Sequence, residues 1–490
     1  MKKTLLAIAT AAAASSATAG NYFEPLTAPN TDTTSFYSAP FKLPEHFSQE
    51  FVASRSTMAA LFAAKGETFP STFGNWDMLD FGGDDNEFIF IPHEVSSGAG
   101  VTRLNRDTGD AVVLLQGDPG LPYDTDPSDG FDKLGGNYGR LDPAVMTPAG
   151  TLVTGEEGSP SRLFELMNPT AATGKYDADW RWLSNIPAVN HEGIQFDAYG
   201  NMYVVDENSS GSIYKFVPAV PGDYSYGQVF VLKVAGGFNE GATGAAVWEP
   251  LTDADNQAIT TANPFDFTSV GGRAAADEVG GTGYCRPEDM TMGKLASGNE
   301  VLSFTATCTY NVYSVELVSS DSAMVREFVS AYTTPDTIGN DPVGQANGAN
   351  YGLSSPDNLA TDVAGNIFII EDQNPGDIWM ANDADKDGIA ESIAMFASLG
   401  NYGSEPTGFK ADPRDPFTFY VHVQHPGSAY NNDDALWVIR HDVTNACDCQ
   451  TATNHGKYVS CVTKAAKSMG IKGEMKSYLM DVAAMSSCGK

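Results

Sequence analysis

Three stretches of the sequence place two adjacent carboxylates at one position of a repeated design. They are Gly150-Thr-Leu-Val-Thr-Gly-Glu156-Glu157, Gly200-Asn-Met-Tyr-Val-Val-Asp206-Glu207 and Gly365-Asn-Ile-Phe-Ile-Ile-Glu371-Asp372. In each, a glycine turn leads into a short apolar strand, and the acids fall six and seven residues after the glycine. Two copies carry a further acid five residues before the Asp that opens the turn: Glu192 before Asp197 and Asp357 before Asp362. Carboxylates gathered at one end of such units repel one another unless a cation neutralises them. The chemistry this predicts is a polynuclear metal site.

Further charged motifs stand at expected strand edges or turns. In order they are Pro92-His93-Glu94, Thr154-Gly155-Glu156-Glu157, Asn190-His191-Glu192, Arg286-Pro287-Glu288-Asp289, Ser355-Pro356-Asp357-Asn358, Glu405-Pro406-Thr407-Gly408 and Gln424-His425-Pro426-Gly427. A separate run, Asp383-Ala-Asp385-Lys-Asp387-Gly388-Ile389-Ala-Glu391, alternates Asp and places Gly at the sharp turn, as a calcium loop does. Ala394 stands where an EF-hand needs its twelfth-position Glu, so the run reads as a calcium-clipped hairpin with Asp383, Asp385 and Asp387 as ligands. There is no Gly-x-Ser-x-Gly nucleophile elbow, no phosphate-cradling P-loop and no paired-Cys zinc motif. His93, His191 and His425 flank motif acids or amides and are assigned supporting hydrogen bonds.

Taken in this order, the motifs resemble those of the PhoX-type alkaline phosphatase family of exported bacterial proteins, over roughly residues 76–427. The resemblance implies a propeller holding iron and calcium ions that hydrolyses phosphate monoesters. It further implies Glu192, Glu288 and Asp357 as metal ligands and Arg286 as the phosphate contact. By position, Glu156, Glu157, Glu207 and Glu405 join as ligands, with Glu94 a weaker one. An arginine fork matches phosphate oxygens, and two or more cations can clamp a phosphoryl group. One departure stands out. The family's acidic pair follows an iron-ligating cysteine, and here that position is Gly155. Without the thiolate, a soft ligand favouring iron is gone, while oxygen ligands favouring Ca²⁺ or Mg²⁺ remain, so Ca²⁺ is expected and Fe³⁺ is not.

The elements that must position these residues are β-strands. Strand-rich, turn-punctuated sequence runs over residues 76–443, and its periodicity predicts an all-β, roughly six-bladed propeller. Insertions are expected at 115–136, 236–283 and 332–350. Residues 20–75 carry few strand signals and are expected to wrap the body. The tail, 444–490, keeps helical spacing at Tyr458, Val462, Ala465 and Met469, and again at Met475, Leu479 and Val482. It carries six lysines and four cysteines, against the acidic trend, and reads as a stapled helical hairpin that packs on the propeller or meets a protein partner. Cys285 and Cys308 are placed to pair, and the tail cysteines allow three connectivities.

Residues 1–19 read as a cleavable secretory signal: Lys2 and Lys3, an apolar core over 5–14, then Ala17-Thr18-Ala19. No twin arginine is present, so the general secretory route to the periplasm or the exterior is expected, and no transmembrane segment. The chain of 490 residues has 62 acidic and 28 basic side chains, a formal charge of -34, which makes nucleic acid and anionic membranes poor partners. Two functions follow: a calcium-dependent hydrolase of a small phosphoester, or a non-catalytic, calcium-stabilised extracellular propeller for attachment or protein binding.

Overall fold

The computed structural model describes residues 22–236, 240–330 and 352–490. Residues 1–19, read above as a secretory signal, and the expected insertion 332–350 lie outside the described residues. The chain forms six successive antiparallel meanders whose first strand is innermost. The first is Asp80–Gly82, Phe88–Pro92, Gly100–Asn105 and Ala111–Gln116, and the second is Val145–Met146, Leu152–Gly155, Leu163–Leu166 and Trp180–Trp182. The third runs Ile194–Phe196, Met202–Val205, Ile213–Val220 and Asp223–Val234; the fourth Pro287–Lys294, Glu300–Ala306, Asn311–Leu317 and Ser322–Val329. The fifth runs Pro356–Thr361, Ile367–Glu371, Asp377–Asn382 and Ser392–Leu399, and the sixth Glu405–Ala411, Thr418–Gln424 and Ala435–His441.

This is a propeller-like, mostly β fold, but the expectation of roughly six blades needs correction, because the described strands form five sheets. Within the 236–283 insertion, the strand Gly244–Pro250 pairs with the outer strand of the third meander, Phe230 opposite Pro250. It also pairs with that of the fourth, Gly244 opposite Val325. Two edges that would otherwise show unpaired backbone groups are thereby joined into one nine-stranded sheet. The segment 20–75 also differs from expectation. Its strand Phe47–Ser54 is the outer strand of the sixth sheet position, pairing with Ala435–His441, and Phe41–Lys42 adds to the fifth meander. First and last parts of the chain thus close the ring together.

The hairpin turns repeat one local chemistry. Asp197 Oδ1 accepts from the backbone of Tyr199 (3.0 Å) and Asn201 (2.9 Å), and Asp362 Oδ1 does the same for Ala364 (2.9 Å) and Asn366 (3.0 Å). Gly200 and Gly365 complete these turns at φ of 81° and 89°, which side chains resist. Strands such as Ile367–Glu371 are buried on both faces, because each blade packs between two others. Phe368, Phe396, Phe409 and Phe419 fill the space between the fifth and sixth meanders.

The tail forms the expected helices, His455–Ser468 and Gly473–Met485, and their buried Val462, Leu479 and Val482 join that same core. Disulfides Cys447–Cys461 and Cys449–Cys488 staple it, and Cys285–Cys308 closes a loop in the fourth meander. No described helix is long and apolar enough to cross a membrane.

Candidate metal centre

Each meander opens on a buried acid at the same end of the ring: Asp77, Asp142, Glu192, Glu288, Asp357 and Glu405. Four meanders add a second acid just past their second strand, Glu94, Glu157, Glu207 and Asp372. A single backbone bond ties the two ends together. The residue two before the opening acid accepts, at its carbonyl, the N–H of the second acid. Asn75 takes that of Glu94 (3.0 Å), Arg140 that of Glu157 (2.9 Å), Asn190 that of Glu207 (3.0 Å) and Ser355 that of Asp372 (2.9 Å). In the fourth meander Arg286 takes the N–H of Thr307 (3.0 Å). Asn75, Arg140, Arg286 and Ser355 sit at positive φ of 44° to 49°, a region that costs a side chain free energy.

The acids meet from different meanders. Glu192, Glu207 and Glu288 each offer an oxygen, and these lie within 4.8 Å of one another. Glu192 is in hydrogen-bonding contact with Glu288 and with Asp357, and Glu157 with both Glu94 and Glu207. Glu405 contacts Asp372 and receives His425 Nε2 at 2.5 Å. Arg286 bridges two meanders: its Nε donates to Glu207 Oε1 (2.8 Å) and its Nη2 lies 2.9 Å from Glu288 Oε1.

Burial dominates the electrostatics. It raises the carboxyls of Asp77, Asp142, Glu192 and Asp357 well above the usual range, and neighbouring acids push the same way. Glu157 is pushed up to about 11 by burial and then by Glu207 and Glu94. Glu288 reaches only about 7, because Glu192 and Arg286 offset its burial. Buried Asp77 Oδ1 and Asp142 Oδ1 have no hydrogen-bond partner among the described residues. Unpartnered buried oxygens, together with an all-carboxylate donor set, fit hard cations that take several oxygen ligands.

Not every expected ligand reaches this ring. Glu156 is turned away: Arg162 donates to it from Nε (2.8 Å) and Nη2 (2.7 Å), and the backbone of Gly139 and Arg162 adds bonds of 3.1 Å each. The first acid of the other pairs behaves alike. Asp206 is gripped by Arg273 through Nε and Nη2, each at 2.7 Å, and Glu371 by Trp379 Nε1 at 2.9 Å and Ser354 N–H at 2.7 Å. Successive side chains past a strand point to opposite sides, so only the second of each pair faces the ring.

From the sequence, Asp372 stands only as one of the paired acids, and Asp77 and Asp142 are not assigned as ligands. Asp142 carried a signal: it precedes Gly150 by eight residues, as Glu192 precedes Gly200 and Asp357 precedes Gly365. Asp77 lacks that spacing.

Asp383, Asp385, Asp387 and Glu391 form a second group whose oxygens lie within 4.8 Å of one another. They occupy the hairpin between Asp377–Asn382 and Ser392–Leu399, beside the Asp362–Gly365 turn and so away from Asp357. Asp383 accepts from the backbone of Asp387 (3.0 Å) and Gly388 (2.8 Å); burial, with Glu391 and Asp387 nearby, raises it to about 6.

A Cβ built on Gly155 would come within 2.6 Å of His191 Cβ and 2.7 Å of Leu163 Cδ1. The position is packed shut, and burial holds His191 down at about 3, neutral.

No curated protein matches the chain. Among solved structures, a protein of unknown function from Bacteroides thetaiotaomicron is 9% identical with a TM-score of 0.42, over 80% of this chain and 76% of that one. A glucose dehydrogenase is 11% identical with a TM-score of 0.37, over 80% and 98%. The family model described as alkaline phosphatase PhoX matches residues 183–427, half of the 490 residues. That span holds the third to fifth meanders and the first two strands of the sixth, with Glu192, Glu207, Glu288, Asp357, Asp372, Glu405 and the Arg286 bridge, and on this ground the chain belongs to the PhoX alkaline phosphatase family.

Proposed function

We propose that the chain is a calcium-dependent phosphomonoester hydrolase, exported by the general secretory route to the periplasm or beyond. The observation that carries this reading is the Arg286 fork held between Glu207 and Glu288, at the edge of a ring of buried carboxylates. Glu192, Glu207 and Glu288 would hold one cation, and Asp77, Asp142, Glu157, Asp357, Asp372 and Glu405 line the space for others. Bound cations would neutralise the ring and polarise a phosphoryl oxygen.

The chain's own residues do the rest. Glu207 and Glu288 fix the guanidinium of Arg286 so that its remaining N–H groups can grip phosphate oxygens with little ordering cost. His425 Nε2 and Glu405 Oε1 lie 2.5 Å apart at the rim, and we assign to this hydrogen-bonded pair the delivery of a proton to the departing oxygen. Calcium rather than iron is favoured because the donors are oxygens and Gly155 offers no thiolate.

The second reading, a non-catalytic propeller stabilised by calcium, draws on the closed Gly155 position and on the separate Asp383 loop. Metal analysis and turnover of p-nitrophenyl phosphate, after chelation and then with calcium or iron, separate the two. Turnover restored by calcium and abolished in Arg286→Ala is expected. Calcium stabilisation without turnover under either metal would leave the binding reading.

A further inference from the structure

Arg140 is the counterpart of Arg286 in another meander. Each lies two residues before an opening acid, Asp142 and Glu288, at φ of 46° and 49°. The N–H of Arg140 donates to the carbonyl of Val95 (2.7 Å), the residue after Glu94. That of Arg286 donates to Asn208 (2.8 Å), the residue after Glu207. Both carbonyls accept the N–H that follows the second strand of their own meander, at Glu157 and Thr307. The backbone frames are therefore the same. The side chains differ in what they hold. Arg286 is bound to two carboxylates, whereas Arg140 is exposed, forms no ion pair among the described residues and reaches only the Glu157 carbonyl, at 3.5 Å.

A long charged side chain at positive φ is strained, and Asn or Gly suits such a place better, as at Asn75 and Gly403. An arginine kept there, with a guanidinium free to pair, belongs with other strained residues that aim groups at a site. Glu157, over whose backbone Arg140 lies, contacts Glu207, which holds Arg286, so the two forks flank the same carboxylates.

Building on the phosphatase reading, we infer that Arg140 is a second phosphate-binding arginine, which with Arg286 selects the doubly charged phosphoryl group of a monoester over the singly charged phosphate of a diester. Two forks can meet the oxygens of a dianion from two sides, and losing one charge-assisted contact should weaken binding roughly ten- to a hundred-fold.

The test uses the calcium-loaded full chain and reads three quantities. These are the inhibition constant of inorganic phosphate, the KM for p-nitrophenyl phosphate, and the melting-temperature rise caused by phosphate. Arg140→Ala and Arg140→Gln should raise the first two about ten-fold or more and shrink the third, without lowering the melting temperature in the absence of phosphate. KM for bis(p-nitrophenyl) phosphate should change little. If both variants keep wild-type phosphate affinity while Arg286→Ala loses it, Arg140 is a surface residue and the inference falls, with the phosphatase reading intact. If wild type neither turns over the monoester nor is stabilised by phosphate, the phosphatase reading falls and takes this inference with it. Phosphate stabilisation without turnover, lost in Arg140→Ala, would keep the site and discard hydrolysis alone.

Discussion

Glu156 and Glu157 are neighbours of the same type, yet the fold gives them opposite work, and this can be tested by exchanging each for Gln. Glu156 is fully buried, and Arg162, itself 1% exposed, donates to it twice while its Nη2 also serves the carbonyl of Asn137 (2.7 Å). The guanidinium lies among the rings of Tyr138, Phe164 and Trp182. Removing one member of a buried ion pair costs about 3–5 kcal/mol, because the remaining charge is left unpaired. Glu156→Gln should lose that much in urea unfolding, in chelator and in calcium alike. Glu157→Gln should behave otherwise. Burial, Glu207 and Glu94 hold the Glu157 carboxyl at about 11, so without a cation folding at neutral pH must bind a proton there, which costs stability. The variant should match or exceed wild-type stability in chelator but gain less from added calcium, since one ligand is gone. A Glu156→Gln protein of wild-type stability that had lost its calcium response would refute the division of labour, and with it the assignment of only the second acid to the ring.

Gly155→Cys should lower stability by about 1–3 kcal/mol, the usual cost of overpacking, and should take up no iron, because its Cβ collides with His191 and Leu163; iron gained without loss of stability would overturn this. His441 is buried, accepts the Val443 N–H at Nδ1 (3.1 Å) and is pushed down to about 4 by burial, with His46 adding to it. The unfolded chain therefore binds more protons between about pH 6.5 and 4. The stabilising contribution of His441 is complete above that window and lost as pH falls through it, by about 3 kcal/mol. Comparing the pH dependence of urea unfolding in wild type and His441→Gln checks this, and identical slopes would refute it. Asp383→Asn should erase the part of the calcium-induced melting shift that comes from the hairpin while leaving turnover intact at low temperature; about 2.7 kcal/mol is expected at a calcium concentration one hundred times Kd. Loss of turnover there would join the two acidic groups functionally.

Much of the fold was legible because its signals are local. Turn chemistry at Asp197–Gly200 and Asp362–Gly365, alternation along short strands and helical spacing in the tail act over a few residues, and the structure keeps them. The fixed distance from turn glycine to acid follows from strand length, so it marked one end of the ring. It also held for Asp142, where the turn opens on Thr147 rather than Asp. What the sequence did not carry depends on partners far along the chain. Which acid of each pair faces the ring is set by what lies beneath the other, and for Asp206 that is Arg273, brought in by a helix of the insertion, Gly271–Val279. The count of sheets turned on the strand Gly244–Pro250, whose pairing to Ser322–Val329 satisfies two edges at once. Ring closure by Phe47–Ser54 required pairing with residues near 440. Local chemistry determines the units and their polar ends, because backbone and side chain meet there within one turn. Tertiary packing alone decides which of two identical carboxylates is buried against an arginine and which is left facing its neighbours, because that choice belongs to the partner and not to the acid.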